Sequence, residues 1–186
     1  MAMNKPPMLT AQQALEHLLS HAQPVTGTQE VKTQEALGRV LADNVSSLVD
    51  VPPLDNTSMD GYAVRTADTQ SSGSLLRVAQ RIPAGSVGTQ LEPGTAARIF
   101  TGAPVPPGAD AVVMQEDCEV VEGAHDQVQI NTVPNLGQWI RRRGEDLTVG
   151  KTALSAGTYL RPQELGVAAS AGLTHLLRSE ERRVGK

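Results

Sequence analysis

Pro52-Pro53 breaks the chain, and Gly, Pro and Asp then punctuate it as far as Gly150. Proline lacks the N–H that a helix interior or a central strand requires, and glycine loses the most backbone freedom on ordering. No long helix fits between such breaks, whereas short strands joined by turns do. The runs left between them are Leu75–Arg81, Ala96–Phe100, Ala111–Gln115 and Gln127–Val133. In the last, Val128 and Ile130 alternate with Gln127, Gln129 and Asn131, the period of two imposed by one wet and one buried sheet face. The middle of the chain is expected to be a small all-β domain.

Helical patterns flank it. Thr10 and Gln13 form a capping box, and Ala11, Ala14, Leu15, Leu18, Leu19 and Ala22 recur on one face of the helix they open, which Pro24 closes. A shorter helical turn covers Thr33 to Leu37, Gly38 stops it, and Arg39 to Ser46 reads as a strand. After Leu147, Pro162 and Glu164 suit the first turn of another helix, with Leu165, Ala168 and Ala169 as its inner stripe and Gly172 as its end. The expected fold class is α+β: a discontinuous α/β base domain of residues 8–50 and 147–178, with an all-β domain of residues 51–146 inserted into it. Aromatic residues make up only 2% of the chain, so its cores are built from Val, Leu, Ile and Ala. Two modest domains suit that composition better than one thick core.

Sixteen basic against twenty acidic residues leave a net charge of −4. An acidic chain without a broad basic face is a poor nucleic-acid binder, and the one basic cluster, Arg141-Arg142-Arg143, meets Glu145 and Asp146 at once. Cys118 is the only cysteine, which excludes an internal disulfide and a cysteine zinc site. No apolar run approaches the roughly 20 residues of a membrane span, and no signal peptide opens the chain. A soluble, cytoplasmic protein is expected.

Three stretches concentrate polar groups. Asp55-Asn56-Thr57-Ser58-Met59-Asp60-Gly61-Tyr62 offers two carboxylates, an amide and hydroxyls. Such hard oxygen donors suit Mg²⁺ or the positioning of a water or phosphate; equally, they suit an Asx-type turn that satisfies its own backbone. In Arg98-Ile99-Phe100-Thr101-Gly102-Ala103-Pro104 a strand delivers a hydroxyl to a glycine, as an oxyanion site or as a rigid turn. Arg141-Arg142-Arg143-Gly144-Glu145-Asp146 supplies guanidinium forks, either as phosphate anchors or as ion pairs that set a hinge. Cys118 sits among Glu116, Asp117 and Glu119, a setting that disfavours a thiolate.

In this order, the three stretches change the reading. Val51-Pro-Pro-Leu-Asp-Asn-Thr-Ser-Met-Asp-Gly-Tyr-Ala-Val-Arg65 resembles the signature of the MoeA/gephyrin family, the block from Arg98 to Glu116 is similar to its second block, and Arg141 to Leu147 to its third. The resemblance runs from about Leu9 to Leu176. It implies elongated homodimers that insert molybdate into adenylylated molybdopterin with Mg²⁺-dependent release of AMP. The cleft is expected between the inserted β domain of one subunit and the pterin-binding domain of the other.

Carried over by position, Asp60 and Thr101 are the expected catalytic residues. Asp60 would hold Mg²⁺ or orient a water, and Thr101 would bond the phosphate or molybdate. Asn56, Ser58, Arg141 and Asp146 are expected to bind phosphate or to support the loops, with Asp146 bracing from behind. The gephyrin branch implies an alternative, a non-catalytic dimerisation or scaffold module. Residues 179–186 match nothing anticipated there. The expectation is a truncated or misassembled reading frame that lacks the pterin-binding domain and ends in a foreign, disordered tail, and that is inactive alone.

Overall fold

The computed structural model describes residues 8–22, 27–124 and 126–179. In chain order the elements are α1 (Ala11–His21), β1 (Thr28–Lys32), β2 (Val45–Ser46), β3 (Asn56–Thr57), β4 (Gly61–Val64), β5 (Ser74–Ile82), β6 (Thr95–Ile99), β7 (Ala111–Met114), β8 (Cys118–Val120), β9 (Gln127–Ile130), β10 (Ile140–Arg141), β11 (Thr152–Leu154), α2 (Pro162–Ser170) and β12 (His175–Ser179). Short strands fill the punctuated middle, and both helices lie outside it.

Six of the strands form one mixed sheet in the order β7-β4-β6-β5-β9-β8, in which only β5 and β6 run parallel. Its outer strands are consecutive in sequence, joined by the single turn Gln115–Asp117. A flat sheet of this order would hold them about 24 Å apart, five spacings of about 4.8 Å. The four residue steps from Met114 to Cys118 reach at most about 14 Å. The sheet must therefore curl.

Curling buries both faces of the central strands. Tyr62, Val64, Ala96, Ala111, Val113, Val128 and Ile130 share one core, and the alternate residues Ala63, Ala97, Ile99 and Val112 join Ile82, Leu91 and Ala103 in a second. Val128 and Ile130 occupy the inner side, as their alternation requires. Gly61 opens β4 where it pairs with Met114 of β7. A Cβ there would stand 1.9 Å from the carbonyl oxygen of Val113, so only glycine permits the approach.

The base is assembled from both ends of the chain. β1 pairs antiparallel with β12, and β2 with β11. Ala36, Leu41, Leu160, Ala168 and Leu176 form its core. Val51 crosses to Leu147 through two backbone hydrogen bonds, 2.8 Å from its N–H and 3.1 Å to its carbonyl. The base and the sheet meet at this crossing.

Four local expectations change. α1 forms with its capping box, Gln13 N–H to Thr10 Oγ1 at 3.2 Å and Thr10 N–H to Gln13 Oε1 at 3.0 Å. Its apolar stripe nevertheless buries nothing: Leu15, Leu18 and Leu19 are 56–69% exposed, because no described residue packs on them. Ala169 of α2 is exposed while Ala168 and Ala171 are buried, since a nine-residue helix turns only a narrow face to the core. The strand expected over Arg39 to Ser46 is reduced to bridges at Val40 and Leu41 plus β2. Ser179, placed in the tail, pairs with Thr28 in β12; residues 180–186 and Pro24 lie outside the described residues.

Gly61→Ala is expected to cost about 2–4 kcal/mol, because backbone must yield at a strand pair buried on both sides. Urea unfolding followed by circular dichroism measures it, and an unchanged midpoint would refute the close-packing account.

Candidate functional site

Thr57 lies at the meeting of all three polar stretches. Its N–H donates to the Ala103 carbonyl (3.0 Å), its carbonyl accepts from Gly102 N–H (2.8 Å), and it pairs with Ile140 across β3 and β10. Val105 N–H donates to the Asp55 carbonyl at 2.9 Å, and Ser58 N–H to the Trp139 carbonyl at 3.1 Å. Residues 55–60, 100–105 and 139–146 thus form one woven patch. These hydrogen bonds are made by backbone, so the patch demands a path of the chain more than particular side chains.

Within that patch Asp60 and Thr101 touch. Asp60 Oδ1 accepts from the Thr101 backbone N–H at 2.8 Å and from its hydroxyl at 2.7 Å. The backbone N–H, then the hydroxyl, then the positive charge of Arg98 hold the Asp60 carboxyl below the usual carboxylate range. Asp60 is ionised at neutral pH, and its Oδ2 accepts no hydrogen bond from the described residues.

Asn56 and Ser58 take structural places around the pair. Asn56 pairs with Arg141 in the β3–β10 ladder, and its Oδ1 is buried without a partner among the described residues. Ser58 Oγ donates to the Trp139 carbonyl at 3.2 Å. Trp139 has φ of 57°, the left-handed region that a bulky side chain seldom enters.

Each arginine of the third stretch has a carboxylate of its own. Arg141 Nη2 lies 2.6 and 2.7 Å from the two oxygens of Asp146, and its Nε 3.2 Å from Glu145. Arg142 reaches Asp55 at 2.7 Å and Arg143 reaches Asp50 at 2.6 Å. Asp55 also accepts the Arg143 backbone N–H at 2.8 Å, the first cause of its lowered pKa. All three guanidiniums are thus engaged in ion pairs. A phosphate would have to displace a carboxylate already in place.

Arg98 was not singled out from the sequence. Its Nη1 donates to the Gly61 carbonyl at 2.8 Å and its Nη2 to Gln115 Oε1 at 2.6 Å. It therefore fixes the backbone beside Asp60 while lending it positive charge. Its position inside the second stretch was visible; its partners are set by pairing of β6 with β4. Burial, then the charge of Asp117, pushes the Cys118 thiol up to about 12, in keeping with a poor nucleophile. Among the described residues no group of three or more His, Cys, Asp or Glu could hold a metal, and no helix is long and apolar enough to cross a membrane.

A carboxylate whose folded pKa is depressed contributes stability above its unfolded value, about 3.9, and loses it as pH falls through the folded value. The Thr101 amide signal is expected to titrate with a midpoint below about 3.9. An NMR midpoint at or above that value would contradict the Asp60–Thr101 contact.

Comparison with known proteins identifies the family. The family model described as MoeA N-terminal region (domain I and II) matches residues 9–172. Molybdopterin molybdenumtransferase 2 of Mycobacterium tuberculosis (strain ATCC 25618 / H37Rv) is 40% identical over 170 residues, which span 89% of this chain and 40% of that protein. Molybdopterin molybdenumtransferase of Haemophilus influenzae is 38% identical over 179 residues, 96% of this chain and 44% of that one. A crystal structure of the molybdopterin biosynthesis moeA protein from Pyrococcus horikoshii OT3 superposes with a TM-score of 0.81 at 35% identity, covering 90% of this chain and 45% of that one. The chain spans less than half the length of these relatives. By the matched residues and by the superposed fold, the chain belongs to the family of the MoeA N-terminal region, domains I and II.

Proposed function

We propose that this chain serves molybdenum cofactor biosynthesis as one wall of the active cleft of a molybdopterin molybdenumtransferase. The wall would work on adenylylated molybdopterin and molybdate, and a second subunit of a homodimer would supply the opposite side. The observation that supports this is the direct contact of Asp60 with Thr101, two residues from separate stretches 41 positions apart, in a chain 40% identical to an enzyme of that name.

The donor set suits Mg²⁺ in a particular way. Mg²⁺ takes one or two protein carboxylates and completes its octahedron with waters and substrate phosphates. Asp60 offers one charged oxygen, Oδ2, while Oδ1 is held by Thr101. Mg²⁺ bound there would neutralise charge developing on a phosphate oxygen as AMP leaves.

The chain's own residues do the positioning. The Thr101 N–H keeps the Asp60 carboxylate in one orientation whatever its hydroxyl does. That hydroxyl now donates to Asp60, so it bonds a phosphate or molybdate oxygen as donor only after rotating. The Thr101 N–H and hydroxyl, then the charge of Arg98, keep Asp60 ionised, and the pairing of β10 with β3 holds the start of the third stretch in place.

The test uses a chimera in which this chain replaces the matching part of the Haemophilus influenzae enzyme. Asp60→Asn is expected to lower cofactor formation from molybdate by about 100-fold, the cost of losing one positioned charge. Thr101→Ala is expected to lower it about tenfold, the cost of a hydrogen bond to a charged group. Both should stay folded, with only a small fall in unfolding midpoint from the weakened Asp60–Thr101 contact. An Asp60→Asn chimera as active as the parent removes Asp60 from the site.

A further inference from the structure

A second group of polar side chains lies at one end of the curled sheet. Tyr62 of β4, Val78 and Arg81 of β5, Arg98 of β6, Val120 of β8 and Gln127 of β9 line a pocket of about 200 Å³. Five strands contribute, which happens only where a curled sheet draws its strands together at an open end. Both guanidinium carbons lie over the Phe100 ring, each 4.5 Å from its centroid, and Arg98 is also 5.2 Å from the Tyr62 ring. These cation–π contacts hold the two charges side by side despite their repulsion.

The hydrogen-bonding state of the lining is uneven. Arg98 is engaged by Gly61 and Gln115. The Arg81 guanidinium, the Tyr62 hydroxyl and the Gln127 amide make no hydrogen bond or ion pair with the described residues. No carboxylate lines the pocket, and Val78 and Val120 wall it with apolar surface. Arg81 and Gln127 are exposed, so water solvates their donors, and an anion with several oxygens replaces that water by charge-assisted bonds to all of them together.

Size narrows the ligand. A water occupies about 30 Å³ in the liquid, whereas pockets for whole drug-sized ligands start near 300 Å³. We propose that this end of the sheet binds a small tetrahedral oxyanion or a terminal phosphoryl group between Arg81, Arg98, Tyr62 and Gln127, at a site that adjoins the Asp60–Thr101 pair through Arg98. The proposal does not rest on the transferase reading. The net charge of −4 opposes any anion at long range, so binding is weak and sensitive to salt.

The 186-residue chain, labelled with ¹⁵N, is titrated with sodium phosphate and, separately, with sodium chloride at equal ionic strength. Phosphate is expected to give saturable shifts at the amides of Tyr62, Arg81 and Gln127 that chloride does not. Arg81→Gln should weaken binding by about tenfold and Tyr62→Phe by about threefold, the range of hydrogen bonds to a charged and to a neutral donor. Arg161→Gln, whose guanidinium is paired with Glu164, should leave it unchanged. Arg81→Lys keeps the charge but loses the fork, and should bind with intermediate strength if Arg81→Gln does not fold. Glycerol phosphate competing with phosphate assigns the site to phosphoryl groups, and its failure to compete restricts the site to free oxyanions. Shifts that chloride reproduces, that do not saturate, or that persist at full strength in a folded Arg81 variant overturn the proposal.

Discussion

Thr57 is the knot on which the rest of the site depends. It is 1% exposed, and each of its polar atoms is engaged: the backbone by Ala103 and Gly102, and Oγ1 by the Met59 carbonyl at 2.7 Å and the Met59 N–H at 3.1 Å. A buried hydroxyl left without partners costs about 1–3 kcal/mol, so the turn from Thr57 to Met59 has little freedom to relax. That turn aims Asp60. The same knot holds Gly102, and with it Thr101, at a fixed distance. The juxtaposition of a carboxylate and a hydroxyl from remote parts of the chain is therefore a consequence of backbone weaving. Their mutual attraction only completes it.

The ion pairs of the third stretch have a different standing. They are exposed on the arginine side, and pairs of that kind contribute little to stability. Asp50 is the better-sheltered partner, its side chain 12% exposed, and it also accepts the Val149 N–H at 2.9 Å. Asp50 and Asp55 come before the proline pair and just after it, while Arg142 and Arg143 lie at the far end of the inserted sheet. Their pairing ties the way into the sheet to the way out of it, next to the Val51–Leu147 crossing. Direction at this neck matters more than the small energy, since it decides how the woven patch is carried by the base.

Phe100 and Arg98 link the two polar regions. Arg98 faces the Asp60 side through the Gly61 carbonyl and lines the pocket at the end of the sheet. In a chain with one Phe, one Trp and two Tyr, the placement of Phe100 and Tyr62 beside two arginines is a large share of its aromatic surface. Tyr62 also belongs to one core and Phe100 to none; the cores are otherwise Val, Ile, Leu and Ala, as the composition required.

Much of this was legible from residue types and spacing. The breaks at Pro52-Pro53 and beyond excluded helix from the middle, the alternation in Gln127–Ile130 identified an inner face, and the capping box of Thr10 and Gln13 opened α1. These are local effects, decided within a few residues by backbone sterics and hydrogen bonding. The bearing of Asp60 and Thr101 was legible only through the resemblance of their stretches to a family, because their residue types allowed plain turns as readily as a site. Tertiary structure alone decided the rest. It left the α1 stripe without a packing partner, which periodicity cannot foresee because a pattern states what a helix can bury and not what is there to cover it. It paired Arg142 and Arg143 with Asp55 and Asp50, residues far apart along the chain that meet only when the sheet returns to its neck. It brought Arg81 to Arg98, a neighbourhood created by the parallel pairing of β5 and β6 and written in no short stretch of sequence.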